Sequence, residues 1–333
     1  MKRKILKWFL IVVFIFLLLV VVFIFSLSVG EIFLPLKSLF NTSDSLLETI
    51  VYKIRLPRSL LSIAVGGSLS LAGVVLQTIF KNPLVEPYTM GISGGASLAV
   101  TIALITGIVD KYGTISLSIA GFLGSILSII FIYLISFNVK FKNINNMLLI
   151  GVMISFICSS IITLILSISS ADSINAILFW TMGSLNETNF KLVNITSIIS
   201  LIIFFVLLAF NKVLNALRLG EIEAQYLGFN TSLYINILLL ISSILTGISI
   251  AAAGIIGFVG LIIPHIIRNF FGTDHRILLV ISYFAGGIFL LICDIIARIV
   301  ISPNELPVGV VTGIIGGIMF IIILSQAQLK SKE

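Results

Sequence analysis

Charge is missing from this chain in blocks of about twenty residues, the length a helix needs to cross a hydrocarbon core. The block at 8–27 holds no Asp, Glu, Lys or Arg, and comparable runs recur along the chain. Only 10% of the 333 residues are charged, against roughly a quarter in an ordinary soluble domain, which excludes a soluble fold. The runs are apolar on every face, whereas transmembrane barrel strands would alternate apolar and polar residues in segments of about ten. Ten helical spans are therefore expected, near 8–28, 59–80, 90–109, 113–137, 147–168, 192–210, 232–252, 255–268, 277–297 and 307–326. No charge falls between Gly228 and Arg268, so the break between the seventh and eighth spans rests on Ala253, Gly254 and Gly257. The eighth span is expected to be short or broken.

The basic residues mark orientation. With the amino terminus inside, thirteen of the twenty lysines and arginines fall on inner segments and seven on outer ones, the bias that cytoplasmic loops carry. Both termini are then cytoplasmic, and the net charge of +7 reflects topology rather than nucleic-acid binding. The apolar run at 8–27 reads as a retained anchor, because a cleaved signal peptide has an apolar region of only about 7–15 residues. Cys158 and Cys293 lie in apolar runs without CxxC spacing, so neither a disulfide framework nor a thiolate metal site is expected. His265 and His275 lack ligand partners at metal spacing, and no metal site is expected.

Small residues recur inside the spans, at Gly66, Gly67, Ser70 and Gly73, at Gly91, Gly94 and Gly95, and at Gly313, Gly316 and Gly317. They read first as sites of close helix packing, since little hydrophobic drive acts between helices in lipid. A weak inverted repeat is suggested by Ala72-Gly73-Val74-Val75 before Pro83 and Ala253-Gly254-Ile255-Ile256 before Pro264, at equal spacing. Such repeats are common in transporters. No GxxxxGK[ST] loop, which would cradle nucleotide phosphates, is present.

Three segments carry more information than the apolar filler. The first is RLPR at 55–58, followed by KNPLVEPYTMGISGGA at 81–96; the second is GIIGFVGLIIPH at 254–265, leading to GTDHR at 272–276; the third is DIIAR at 294–298, running into ELPVG at 305–309. With WTMGS at 180–184 and LGE at 219–221 between them, the chain resembles the FecCD-type permease family over about residues 50–325. These are the membrane subunits of importers for ferric siderophores, haem and cobalamin. The resemblance implies an all-α integral membrane protein of about ten transmembrane helices. It also implies partners: a second permease subunit, two cytoplasmic ATPase subunits that bind the ATP, and an extracytoplasmic substrate-binding protein. No cofactor and no catalytic residue is expected in this chain.

The resemblance also places sites. The inner stretch 211–231 would be the coupling element, with Leu219, Gly220, Glu221, Glu223, Tyr226 and Gly228 contacting the ATPase. Val213, Leu214 and Leu217 share one helical face there, and Glu221 and Glu223 suit the positive start of a second short helix; the competing reading is an interfacial linker. Arg55, Arg58 and Arg298 would receive acidic residues of the binding protein, or else serve as snorkelling anchors. A cytoplasmic gate would include Asn82, Pro83 and Leu84 by motif and Asn145 and Asn146 by position. Asp294 lies four residues before Arg298, the spacing of an intrahelical ion pair; its alternative is proton coupling in an ion-driven secondary transporter. The expected function is the permease of an ATP-driven importer for iron chelates, working by alternating access in the cell membrane, with haem or cobalamin as other cargoes.

Overall fold

A computed structural model describes residues 2–30, 33–35, 45–138, 144–187 and 189–330. Helices α1 (Lys2–Ser28) and α2 (Ser45–Glu48) precede a π-helical turn, Thr49–Arg55, that runs directly into α3 (Leu56–Ile79). A 3-10 turn at Pro87–Met90 leads to α4 (Ile92–Ile105), α5 (Ile108–Tyr112), α6 (Ile115–Asn138), α7 (Ile144–Ile168) and α8 (Ala171–Thr181). Then follow α9 (Phe190–Ala209), α10 (Asn211–Leu219), α11 (Glu221–Tyr226), α12 (Thr231–Ala253), α13 (Val259–Phe271), α14 (His275–Ile299) and α15 (Val308–Lys330). Among the described residues, α1, α3 with its π-helical turn, α6, α7, α9, α12 and α14 are long and apolar enough to cross a bilayer. Shorter apolar stretches occupy α4, α13 and α15. These ten coincide with the ten expected spans. The seventh and eighth separate at 254–258, where the glycines placed the break, and α13 has only 13 residues.

Helix ends follow local chemistry. Asn189, Asn230 and Asp274 cap α9, α12 and α14, each accepting from a first-turn backbone N–H with its side-chain oxygen, which satisfies one of the donors a helix start leaves open. Pro57 sits in the first turn of α3, directly after the π-helical turn, and lacks the N–H that would continue the helical bonding from that turn.

At the centre of the bundle stands α3, with 21 of its 24 residues buried and α9, α12, α13 and α14 packed around it. Its small residues let the neighbouring backbones in. A side chain at Gly66 would strike the Gly286 carbonyl of α14, and one at Gly73 would strike the Gly260 carbonyl of α13. One buried polar cluster ties three helices together: Ser68 donates to Ser200 of α9 at 2.8 Å, and Ser200 lies 3.2 Å from the Tyr283 hydroxyl of α14. By contrast α1 and α7 bury little of their apolar surface. The two tetrapeptides of the sequence repeat adopt different local structures, since Ala72-Gly73-Val74-Val75 is mid-helix and Ala253-Gly254-Ile255-Ile256 leaves α12. That match alone carries no structural repeat.

Candidate functional site

At one end of the bundle the three motif arginines meet. Arg58, in the first turn of α3, places Nε 2.7 Å from Asp294 Oδ1 and Nη1 2.7 Å from Glu305 Oε2. The expected pair within α14 forms as well, with Arg298 Nη2 at 3.1 Å from Asp294 Oδ2. Arg298 also donates to the Ser26 and Val29 carbonyls and to Ser26 Oγ, while Arg55 donates to the carbonyls of Leu27 and Ser28. These carbonyls belong to the end of α1, where a helix has no internal donors left. The arginines therefore terminate α1 and bind it to α3 and α14. Arg55, Arg58 and Arg298, expected as receptors for the binding protein's acidic residues or as snorkelling anchors, are each about 5% exposed, and their guanidinium groups have partners within the chain. Glu305, at 42% exposure, is the accessible member of the cluster.

A second constellation surrounds the break between α12 and α13. Gly260 lies against Leu69 and Gly73 of α3. At about 1.5 Å rise per residue, α13 thus starts roughly 20–25 Å along α3 from its Leu56 end, inside the bundle. Backbone exposed at such depth must find partners within the protein. Tyr88 Oη accepts from the Ile256 N–H at 3.0 Å, and Glu86 Oε2 from the Phe258 N–H at 3.1 Å. Pro264 has no N–H to give the carbonyl of Gly260 four residues back, and Gln77 Nε2 of α3 supplies the missing donor at 3.0 Å, reaching Leu261 O at 3.2 Å as well. The other end of the Gln77 amide accepts from Arg268 Nη1 at 2.6 Å. The motifs containing Glu86 and Gly257 are separate in the sequence; the structure joins them into one capped break.

The opposite end carries α10 and α11. Val213, Leu214, Ala216 and Leu217 are buried against the spans, so the face of α10 offered as a docking surface turns inward instead. What remains exposed is apolar: Leu219, Ile222, Tyr226 and Leu227 are 56–85% exposed. Together with Glu221 and Glu223 they form the outer surface of the α11 turn. Gly220 is extended, and the nearest atoms a side chain there would meet belong to the flexible, exposed carboxylate of Glu223, so no tight turn requires glycine at that position. Gly228, with φ of 88°, is the residue whose backbone requires glycine. Asp274, capping α14, is bonded by Arg276 and Asn215; the Arg276 guanidinium first of all holds its carboxyl well below the usual range.

Asn82, Pro83 and Leu84 form a turn in which Asn82 Oδ1 accepts from the Leu84 N–H at 2.9 Å. Asn145 and Asn146 lie in the first turn of α7, and the Asn145 side chain lies outside the described residues. The structure joins the α3–α4 connection to α7 at Met90 and Gly91, whose backbone packs on Gly151. Along the exposed side of α7 runs a row of hydroxyls. Ser160, Thr163 and Ser167 each donate to a carbonyl of their own helix at 2.7–2.9 Å.

A model of the FecCD transport family matches residues 18–326. The hemin transport system permease protein HmuU of Yersinia pestis is 35% identical over 322 residues, covering 96% of this chain and 96% of that protein. The vitamin B12 import system permease protein BtuC of Yersinia pseudotuberculosis is 36% identical over 308 residues, covering 91% and 89%. Among solved structures, an inward-facing ABC transporter of the proposed metal-chelate type superposes with a TM-score of 0.85 at 31% identity, over 95% of this chain and 99% of that one. PsaBC from Streptococcus pneumoniae, in complex with Fab, shares the fold alone, at 15% identity and a TM-score of 0.57 over 83% of this chain and 94% of that one. With a family match along most of its length, relatives above 30% identity and about ten membrane helices in the same arrangement, this chain belongs to the FecCD transport family.

Proposed function

We propose that the chain is the membrane-spanning permease of an ATP-binding-cassette importer that carries a metal-bearing organic chelate inward by alternating access. An iron chelate is the cargo we favour. The relatives named for hemin and vitamin B12 keep haem and cobalamin in the same class, since each is a large organic ligand around a metal. The observation that carries the reading is the exposed α11 turn: Ile222, Tyr226 and Leu227, together with Leu219, present apolar side chains beyond the ends of the spans, where a protein partner and not lipid would cover them. That partner is the ATPase subunit, and the end bearing α10 and α11 is cytoplasmic, as are both termini. A second permease copy would pack across the weakly buried α7, whose hydroxyl row would border the pathway. The Asn82-Pro83-Leu84 turn and the start of α7 near Asn145 and Asn146 would form the inner gate. On the outer side, a carboxylate of the binding protein would exchange with Glu305 at Arg58, because Glu305 is the only partner of that guanidinium within reach of solvent among the described residues.

The test is reconstitution of the chain with its ATPase subunits and binding protein in vesicles, with ferric siderophore, haem and cobalamin offered in turn. Uptake of one of them requiring ATP hydrolysis is the expected result. Uptake that persists without the ATPase subunits and follows an imposed proton or sodium gradient would overturn the reading.

A further inference from the structure

The α10 helix is joined to the spans by more than its peptide links to α9 and α11. Asn215 on α10 faces the start of α14, where its Oδ1 accepts from the His275 backbone N–H at 3.0 Å and lies 2.9 Å from His275 Nδ1. Its Nδ2 donates to Asp274 Oδ1 at 3.2 Å. The backbone N–H that only donates and the carboxylate that only accepts fix which way the amide points, so His275 Nδ1 must carry the proton shared with Asn215. In the neutral ring Nε2 is then an acceptor, and it lies 2.8 Å from Thr78 Oγ1, near the end of α3, whose single proton is shared between Nε2 and the Val74 carbonyl at 2.7 Å. His275 is 1% exposed and Thr78 5%, so water does not compete for either contact.

Followed along the bundle, α3 and α14 are fastened to each other three times. Arg58 and Asp294 join them at one end, Gly66 and Gly286 bring their backbones together between, and Thr78 and His275 join them at the other. Two helices held at both ends and in contact between move as one body, because each attachment is a discrete packed or bonded arrangement.

We propose that the Asn215–His275–Thr78 chain is the positioning link through which displacement of α10 is delivered to the α3–α14 pair as a unit. The inference rests on the importer reading for its functional consequence, but the mechanical link is a property of this chain alone. Thr78 is the useful point of attack, since it belongs to α3 and lies away from the exposed α11 surface. Thr78→Val keeps the shape and removes the hydroxyl; Thr78→Ser keeps the hydroxyl. Asn215→Leu cuts the chain at α10.

Two measurements test it. In the reconstituted importer, Thr78→Val should leave basal ATP hydrolysis unchanged while lowering cargo moved per ATP hydrolysed by about fivefold or more, the scale of a lost coupling term. Thr78→Ser should restore the ratio. In the permease alone, spin labels at Arg218 on α10 and Lys81 just after α3 should give a narrow distance distribution that broadens in both Thr78→Val and Asn215→Leu and narrows again in Thr78→Ser. A distribution unchanged in both variants overturns the link, whether or not the chain proves to be an importer. A wild-type complex that needs no ATP would defeat the importer reading alone. Parallel loss of hydrolysis and uptake in Thr78→Val, with the ratio kept, would make the contact structural only and overturn the proposal as well.

Discussion

Removing the Asp294 carboxylate should be among the most damaging single changes available in this molecule. Asp294 is fully buried and stands between two guanidinium groups that are themselves only 4–5% exposed. In Asp294→Ala both lose their shared counter-charge in a region that water does not reach. Breaking a buried pair by deleting one partner costs about 3–5 kcal/mol, and Arg298 keeps neutral partners, the carbonyls and hydroxyl of α1 and the backbone carbonyl at 294, which lower but do not remove the penalty. Glu305 contacts the same Arg58 at the same 2.7 Å distance but is 42% exposed, so Glu305→Gln should cost about 1 kcal/mol or less. Equal distances thus lead to unequal costs, and the difference comes from burial. Asp294→Ala combined with Arg298→Met should cost less than Asp294→Ala alone, because the Arg58–Glu305 pair then balances its own charge. The assay is reversible unfolding of the purified permease in mixed micelles for these three variants and for Arg298→Met alone. Similar losses for Asp294→Ala and Glu305→Gln, or strict additivity in the double variant, would refute the reasoning.

Gln77→Leu removes the donor that serves Gly260 and Leu261 and the acceptor that serves Arg268; a loss of about 1–3 kcal/mol is expected, read by thermal unfolding. Gly228→Ala should cost about 1–2 kcal/mol, because its φ of 88° is unfavourable for any L side chain, whereas Gly220→Ala should be nearly neutral in the same measurement. Asp274, whose carboxyl is held low by Arg276, contributes stability that is present above the unfolded value of about 3.9 and is lost as pH falls below it. An acid titration of stability should therefore lose part of its slope in Asp274→Ala. A cysteine replacing Glu223 should resist impermeant reagents in intact cells and react after permeabilisation; the opposite result would invert the proposed orientation.

The spans are legible because lipid permits so few alternatives: uncharged runs of sufficient length must be helices, and charge locates every span except the division between the seventh and eighth. Even the seventh and eighth separated where Gly254 and Gly257 suggested. The pairing of Asp294 with Arg298 was equally readable, being fixed by helical spacing. What stayed hidden were contacts between segments far apart in sequence. Arg58 lies 236 positions from Asp294, and nothing local says that its charge points inward to a carboxylate instead of outward to a partner. Likewise Gln77 is one amide in an apolar helix until Pro264 is seen to strip the donor from Gly260. His275 carries no metal-ligand spacing, and its position directly after a capping Asp is the sign in the sequence that it opens a helix and faces a neighbour. The inward turn of Val213, Leu214 and Leu217 was missed because an amphipathic helix shows which face is apolar but not what covers it.

If the proposed pathway runs along α7, its hydroxyl row would bear on selectivity. Ser160, Thr163 and Ser167 direct their protons to carbonyls of their own helix, so a solute passing that face would meet oxygen lone pairs but few donors waiting to be filled. Such a surface wets easily without gripping. A chelate rich in acceptor oxygens would slide along it with little dwell time, and a chelate of different outline would fare much the same. Discrimination among cargoes would then be made before entry, by whatever hands the cargo over, and changes along α7 would alter throughput more than preference.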